Sequence, residues 1–147
     1  MKIDLSTYHQ YLKIERRARE RYIFDPIRKK FFIVRPEELV RQSWIQYLLH
    51  EIEISPSSIA VEKQVKVFGD QKRFDLLLYM KGKPRILFEF KSFKAAITEQ
   101  VCRQIAVYNM ELKVPLLLIS NGLVHHMFKV DFTSGNIEEL SEFQVKQ

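Results

Sequence analysis

A single cysteine, Cys102, leaves the chain unable to close an internal disulfide and points to a reducing compartment. No stretch reaches membrane-spanning length, and the opening MKIDLSTYHQYLKIERRARE has no apolar core of the kind a secretory signal needs. A cytoplasmic protein without a membrane partner is therefore expected. Internal repeats, low-complexity tracts and linkers are absent too. There is no G-x-x-x-x-G-K-[ST] loop, so a phosphate-cradling motor of that kind lies outside these residues. The histidines offer no metal site. His9 and His50 have no cysteine or histidine at ligand spacing, and the adjacent His125 and His126 face opposite ways if they lie in a strand. Cys102 sits one position off an apolar helical stripe, with no histidine evidently near it, and reads as a packing residue rather than a nucleophile.

What is present describes one soluble α/β domain. The 147 residues are 46% hydrophobic and 29% charged, enough to bury about two-thirds of the unfolded surface. The net charge of +6 favours an anionic partner such as nucleic acid. Much of it lies in KIERRARERYIFDPIRKK, residues 13 to 30. A helix is expected from about Ser6 to Arg21, placing Arg17 and Arg21 on one face as candidate phosphate contacts. The alternative is a solvated helix whose arginines pair with Glu15 and Glu20. A small hairpin around DPIRKK follows, so that residues 1–35 form a basic N-terminal extension of helix plus hairpin.

Pro36, with Glu37 and Glu38 behind it, suits the first turn of a helix whose stripe runs through Val40, Trp44, Tyr47 and Leu48 to about Ile52. SPSS breaks the chain at 55–58. Strands are expected at about 59–68, 73–81 and 85–91, with GDQK and KGKP as turns. Ile97, Val101, Ile105, Tyr108 and Leu112 mark a helix stopped before Pro115, a crossover to the continuously apolar PLLLIS, which reads as a central strand. Asn121–Gly122 signals a two-residue hairpin into LVHHMFKV.

The stretch RFDLLLYMKGKPRILFEFKS, residues 73 to 92, raises the functional question, because Asp75, Glu89 and Lys91 interrupt two apolar strands. A hairpin centred on Gly82 makes Asp75 and Glu89 direct neighbours, with Lys91 on the Glu89 face. Facing carboxylates about 5 Å apart repel and call for a cation. Lys91 can supply part of it; a hard ion such as Mg²⁺, with Mn²⁺ as a substitute, supplies more. Such a site suits phosphodiester hydrolysis, with the metal polarising the phosphate and lowering the pKa of a bound water. A purely structural Asp–Lys–Glu cluster fits the spacing equally well, and a one-residue slip in register would separate the carboxylates.

Asp75 followed by Glu89-Phe90-Lys91 resembles the PD-(D/E)XK nuclease signature, and Gln104 with Tyr108 matches the Gln-x-x-x-Tyr of some of its branches. Over roughly residues 20 to 130 the chain is most similar to the N-terminal nuclease domain of type I restriction enzyme R subunits. RPEELVRQ matches the first core helix, RFDLLLY and ILFEFKS the catalytic strands, and QIAVYNM the next helix. The resemblance implies a single restriction-endonuclease-like domain, a mixed sheet flanked by helices in the order α-β-β-β-α-β. It implies Asp75 and Glu89 as Mg²⁺ ligands, with Lys91 on the attacking water or the phosphate. Gln104 and Tyr108 would orient Lys91 or touch the DNA backbone, and Glu38, with Glu37 as alternate, would be the first-helix glutamate. Arg73 joins Arg17 and Arg21 as a DNA-binding candidate, while Glu62 reads as an exposed edge residue. Phe74 stands where the signature has proline. Expected partners are DNA and other restriction-system subunits or a second copy of the chain. The competing reading is a nucleic-acid-binding or scaffold module with this fold and no turnover.

Overall fold

Strands, not a helix, carry the basic N-terminal stretch. The computed structural model describes residues 1–145. A short 3-10 helix, Leu5–Tyr11, is capped by Asp4, which accepts the Ser6 N–H at 3.0 Å. Next comes an antiparallel sheet of β1 (Ile14–Arg17), β2 (Glu20–Asp25) and β3 (Lys30–Ile33). The expected helix to Arg21 is thus corrected. Its arginines tolerate either conformation, and burial of Ile23 on the body, opposite Ile14, decides for the strand. The small hairpin at DPIRKK is present, its turn held by Asp25 Oδ1, which accepts the N–H groups of Ile27 (2.7 Å) and Arg28 (2.9 Å).

Helix α1 (Pro36–His50) begins with proline in its first turn and Glu37 and Glu38 beside the positive end of its dipole, as expected. A long sheet follows: β4 (Ile59–Val67), β5 (Asp70–Met80) and β6 (Lys83–Phe90), then helix α2 (Glu99–Leu112), then β7 (Leu116–Ser120), β8 (His125–Val130) and β9 (Ile137–Leu140). The strands lie side by side in sequence order, antiparallel except for the β6–β7 pair, which α2 links as a crossover. The turns Phe68–Gly69 and Lys81–Gly82 have positive φ at both residues, which matches the twist of tight hairpins.

The helices cover opposite faces. Trp44, Ile45 and Leu48 of α1 pack with Leu76, Leu78, Ile86, Phe88, Leu116 and Leu118. Ile105 and Ala106 of α2 pack with Leu77, Leu87, Leu117 and Ile119. β7 thus feeds both cores in alternation, which explains its unbroken apolar run. The Asn121–Gly122 signal is corrected: Ser120 pairs with His125, so residues 121–124 form a longer loop, in which Asn121 Oδ1 accepts from Leu123 and Val124. β9, which the sequence pattern did not suggest, extends the sheet. Among the described residues no helix is long and apolar enough to cross a membrane.

Candidate active site

Hairpin register sets the site, and an irregularity makes it. The turn at Lys81–Gly82 pairs Met80 with Lys83 and Tyr79 with Pro84. Arg85 then bulges out, so that the pairs become Leu78–Ile86, Leu77–Leu87 and Leu76–Phe88. One step further along that register, Asp75 stands opposite Glu89. Without the bulge it would oppose Phe88, and the carboxylates would lie on different faces. On the other side of β5, Val61 pairs with Leu76 and Lys63 with Phe74, setting Glu62 opposite Asp75. Glu62 has φ +54°, a kink in β4 at this point. Ala60 and Val65, five residues apart, both pack on the α2-side core, as do Phe74 and Leu77, three apart. Side-chain alternation therefore breaks in both strands at the row Glu62–Asp75–Glu89.

Each carboxylate in that row is treated differently. Glu62, expected to be an exposed edge residue, is half-buried and binds Arg41 Nη2 at 2.9 Å and Arg73 Nη1 at 3.1 Å. Burial pulls its pKa up, but the two guanidinium groups outweigh that and hold it below the ordinary value. Asp75 accepts the Phe90 N–H at 2.7 Å and lies 3.4 Å from Arg41 Nη2. Burial nonetheless raises its pKa, with Glu62 adding to the effect. Glu89 has the least help. Lys91 Nζ is 3.9 Å away and its side chain is 38% exposed, against 16% for Glu89. Burial, then the Asp75 charge, push Glu89 up to about 7.

Arg41 was not among the residues singled out in the sequence. Its Nη1 donates to Glu38 at 2.8 Å, so one buried guanidinium joins three carboxylates. The signal was its position: Arg41 precedes Trp44, Ile45 and Leu48 by three, four and seven residues, placing a charge on the apolar stripe. Glu38 is held by side chains of its own helix and of the β2–β3 turn. It binds Arg28 (2.7 Å), Arg41 and Gln42 (3.1 Å), and reaches Asp75 only through Arg41. Glu37 is exposed. Among the described residues no three acidic, histidine or cysteine side chains converge on one point. A cation would thus have the Asp75–Glu89 pair alone as protein ligands, which suits an ion that keeps waters and takes one or two carboxylates.

The remaining candidates scatter. Gln104 is exposed on α2. Tyr108 is half-buried, with Lys72 Nζ 4.1 Å above its ring. Among the described residues neither hydrogen-bonds Lys91, so the expected orienting contact is not made. Tyr108 is tied to the site through Lys72, whose charge acts on Glu89. Arg73 is exposed at the site's edge. Arg17 and Arg21 lie on different strands, not on a shared helix face. His125 is buried between Ser120 Oγ (2.7 Å) and the Ile3 carbonyl (3.0 Å), while His126 faces Glu139 at 2.6 Å. The two rings point to opposite faces, as their adjacency requires.

Residues 36–143 match the family model described as the type I restriction enzyme R protein N terminus. The chain belongs to that family. A solved fragment assigned to the HsdR subunit of a type I restriction enzyme from Vibrio vulnificus YJ016 is similar at 26% identity with a TM-score of 0.51. That likeness covers 73% of this chain and 23% of the other, so the R-subunit N-terminal fold seen here corresponds to a minor part of that structure. No curated protein matches. The six-stranded mixed sheet with flanking helices is similar to that fragment and compatible with the restriction-endonuclease-like core expected from the sequence.

Proposed function

We propose that this R-subunit N-terminal domain is a Mg²⁺-dependent endonuclease of the PD-(D/E)XK type, hydrolysing DNA phosphodiester bonds at Asp75, Glu89 and Lys91. One observation carries the reading: Glu89 faces Asp75 across a buried hairpin, and its nearest cation is a loosely held lysine 3.9 Å away, with Arg41 on the Asp75 side and Lys72 acting from further off. A carboxylate pair in that state is a cation site by its own chemistry, since oxygen donors that repel each other gain most from a hard divalent ion. Asp75 and Glu89 would hold Mg²⁺, or Mn²⁺ in its place. When bound, the ion supplies Lewis-acid polarisation of the phosphate.

The chain's own groups account for the rest. The Phe90 N–H and Arg41 fix one carboxylate of the pair, so Asp75 is oriented before any ligand arrives. Lys91, half in solvent and on the Glu89 face, can place its ammonium on the attacking water or on the developing phosphate charge. A cytoplasmic restriction system, with other subunits or a second copy of the chain as protein partners, belongs to the same reading. The test is plasmid nicking in Mg²⁺. Wild type should nick, and Lys91→Ala and Asp75→Asn should lose at least about a hundredfold in rate, the usual scale for removing a positioned charge. Equal nicking by all three proteins would sink the assignment.

A second reading is a nucleic-acid-binding module without turnover. It is favoured by Arg41, which already partly neutralises Asp75. It predicts DNA binding with no nicking in either Mg²⁺ or Mn²⁺.

A further inference from the structure

The basic segment forms a three-stranded sheet with a buried root, from which β1 and β2 run on as a charged two-stranded tip. At the root, Asp25 is fully buried and held by Arg28 (2.7 Å) and by Gln42 of α1 (2.9 Å). Further along, Ile23 is buried opposite Ile14. Two pairs beyond, on the same face, Arg16 stands directly opposite Arg21, and both are exposed. β3 runs alongside β2 as far as Arg21, whose carbonyl accepts the Val34 N–H at 2.9 Å, so the two-stranded tip starts at the Arg16–Arg21 pair. Ala18 (φ +53°) and Arg19 turn the tip.

Charge on this tip is only partly compensated: Glu15 pairs with Arg17, and Glu20 sits opposite Arg17 without forming an ion pair among the described residues. Directly opposed like charges destabilise an antiparallel pair. Among the described residues Arg16, Arg19 and Arg21 have no acidic partner. Arg17 is different: it binds Glu15 at 3.0 Å and lies over the Phe31 ring, 4.6 Å from its centroid, on the other face. The chain therefore holds three arginines ready on a ribbon of the width a duplex groove accepts, and uses the fourth to brace the sheet.

We propose that the β1–β2 ribbon is an arm gripping the phosphate backbone of duplex DNA, with Arg16, Arg19 and Arg21 as the phosphate contacts. It rests on the nuclease reading only in taking DNA as the polyanion. The assay is fluorescence anisotropy of a labelled mixed-sequence duplex over a salt series, in EDTA so that nothing is cleaved. Each lost phosphate contact lowers the slope of log affinity against log salt by about 0.9. Arg16→Ala/Arg21→Ala should lower it by about 2, Arg16→Lys/Arg21→Lys should keep it, and Arg17→Ala should move it by less than about 0.5. An unchanged slope in the double alanine variant, a fall of about 1 for Arg17→Ala, or no binding by wild type would overturn the arm. Arm-dependent binding by a protein that never nicks would support the arm while sinking the nuclease reading, so the two fail separately.

Discussion

Among the described residues Glu89, unlike the other two carboxylates of its row, accepts no hydrogen bond from a guanidinium or a backbone N–H. Its raised pKa has a defined consequence for the metal-free protein. Between the ordinary 4.5 and about 7 the folded state binds the proton more tightly than the unfolded chain. This group's contribution to stability is therefore fully present at low pH and is lost as pH rises through about 7. The loss is at most roughly 3 kcal/mol. Glu89→Gln should remove that slope and, at pH above 7 in EDTA, leave stability unchanged or improved. Denaturant melts at several pH values check this. A structural salt-bridge cluster predicts the opposite sign, a loss of about 3 to 5 kcal/mol when Lys91 loses its partner. The loose 3.9 Å contact already argues against that.

Among the elements, α1 is less a cover for the sheet than a clamp on its charged row. Arg41 is 5% exposed and serves Glu38, Glu62 and Asp75 together. Arg41→Met should leave buried carboxylates without a counter-charge and cost about 3 to 5 kcal/mol by chemical denaturation. Arg103→Ala, which breaks an exposed pair with Glu99, should cost less than about 1 kcal/mol. The opposition of Asp75 and Glu89 was legible in the sequence, because both lie seven residues from Gly82. The route to it was not. The turn is centred one half-step earlier, and the Arg85 bulge restores the register. A bulge leaves no mark in an apolar–polar pattern. Glu62 does lie on the edge strand, as expected, but is only partly exposed: alternation along β4 gives no warning of the kink at this residue.

For the molecule as a whole, the part with strong periodicity was readable: α1, the three meander strands, α2 and β7 fall where their apolar spacing puts them. The N-terminal sheet was not. Arginine-rich residues are good helix formers in isolation, and only the docking of Ile23 and Asp25 on the body makes that segment extended. β9, short and mostly exposed, has too few apolar residues to signal itself. Metal binding should act at this scale as well. An ion that binds only the folded state should raise the melting temperature of wild type and leave that of Asp75→Asn unchanged, by scanning calorimetry with and without Mg²⁺. Because the ligands must be deprotonated, affinity should climb as pH rises towards about 7 and level off above it.

If Asp75 and Glu89 together form a cation site, isothermal titration of Mg²⁺ at a pH well above 7 should detect it. Wild type should bind the ion, and Asp75→Asn and Glu89→Gln should each abolish the heat of binding while remaining folded. Equal binding by wild type and both variants would contradict the account.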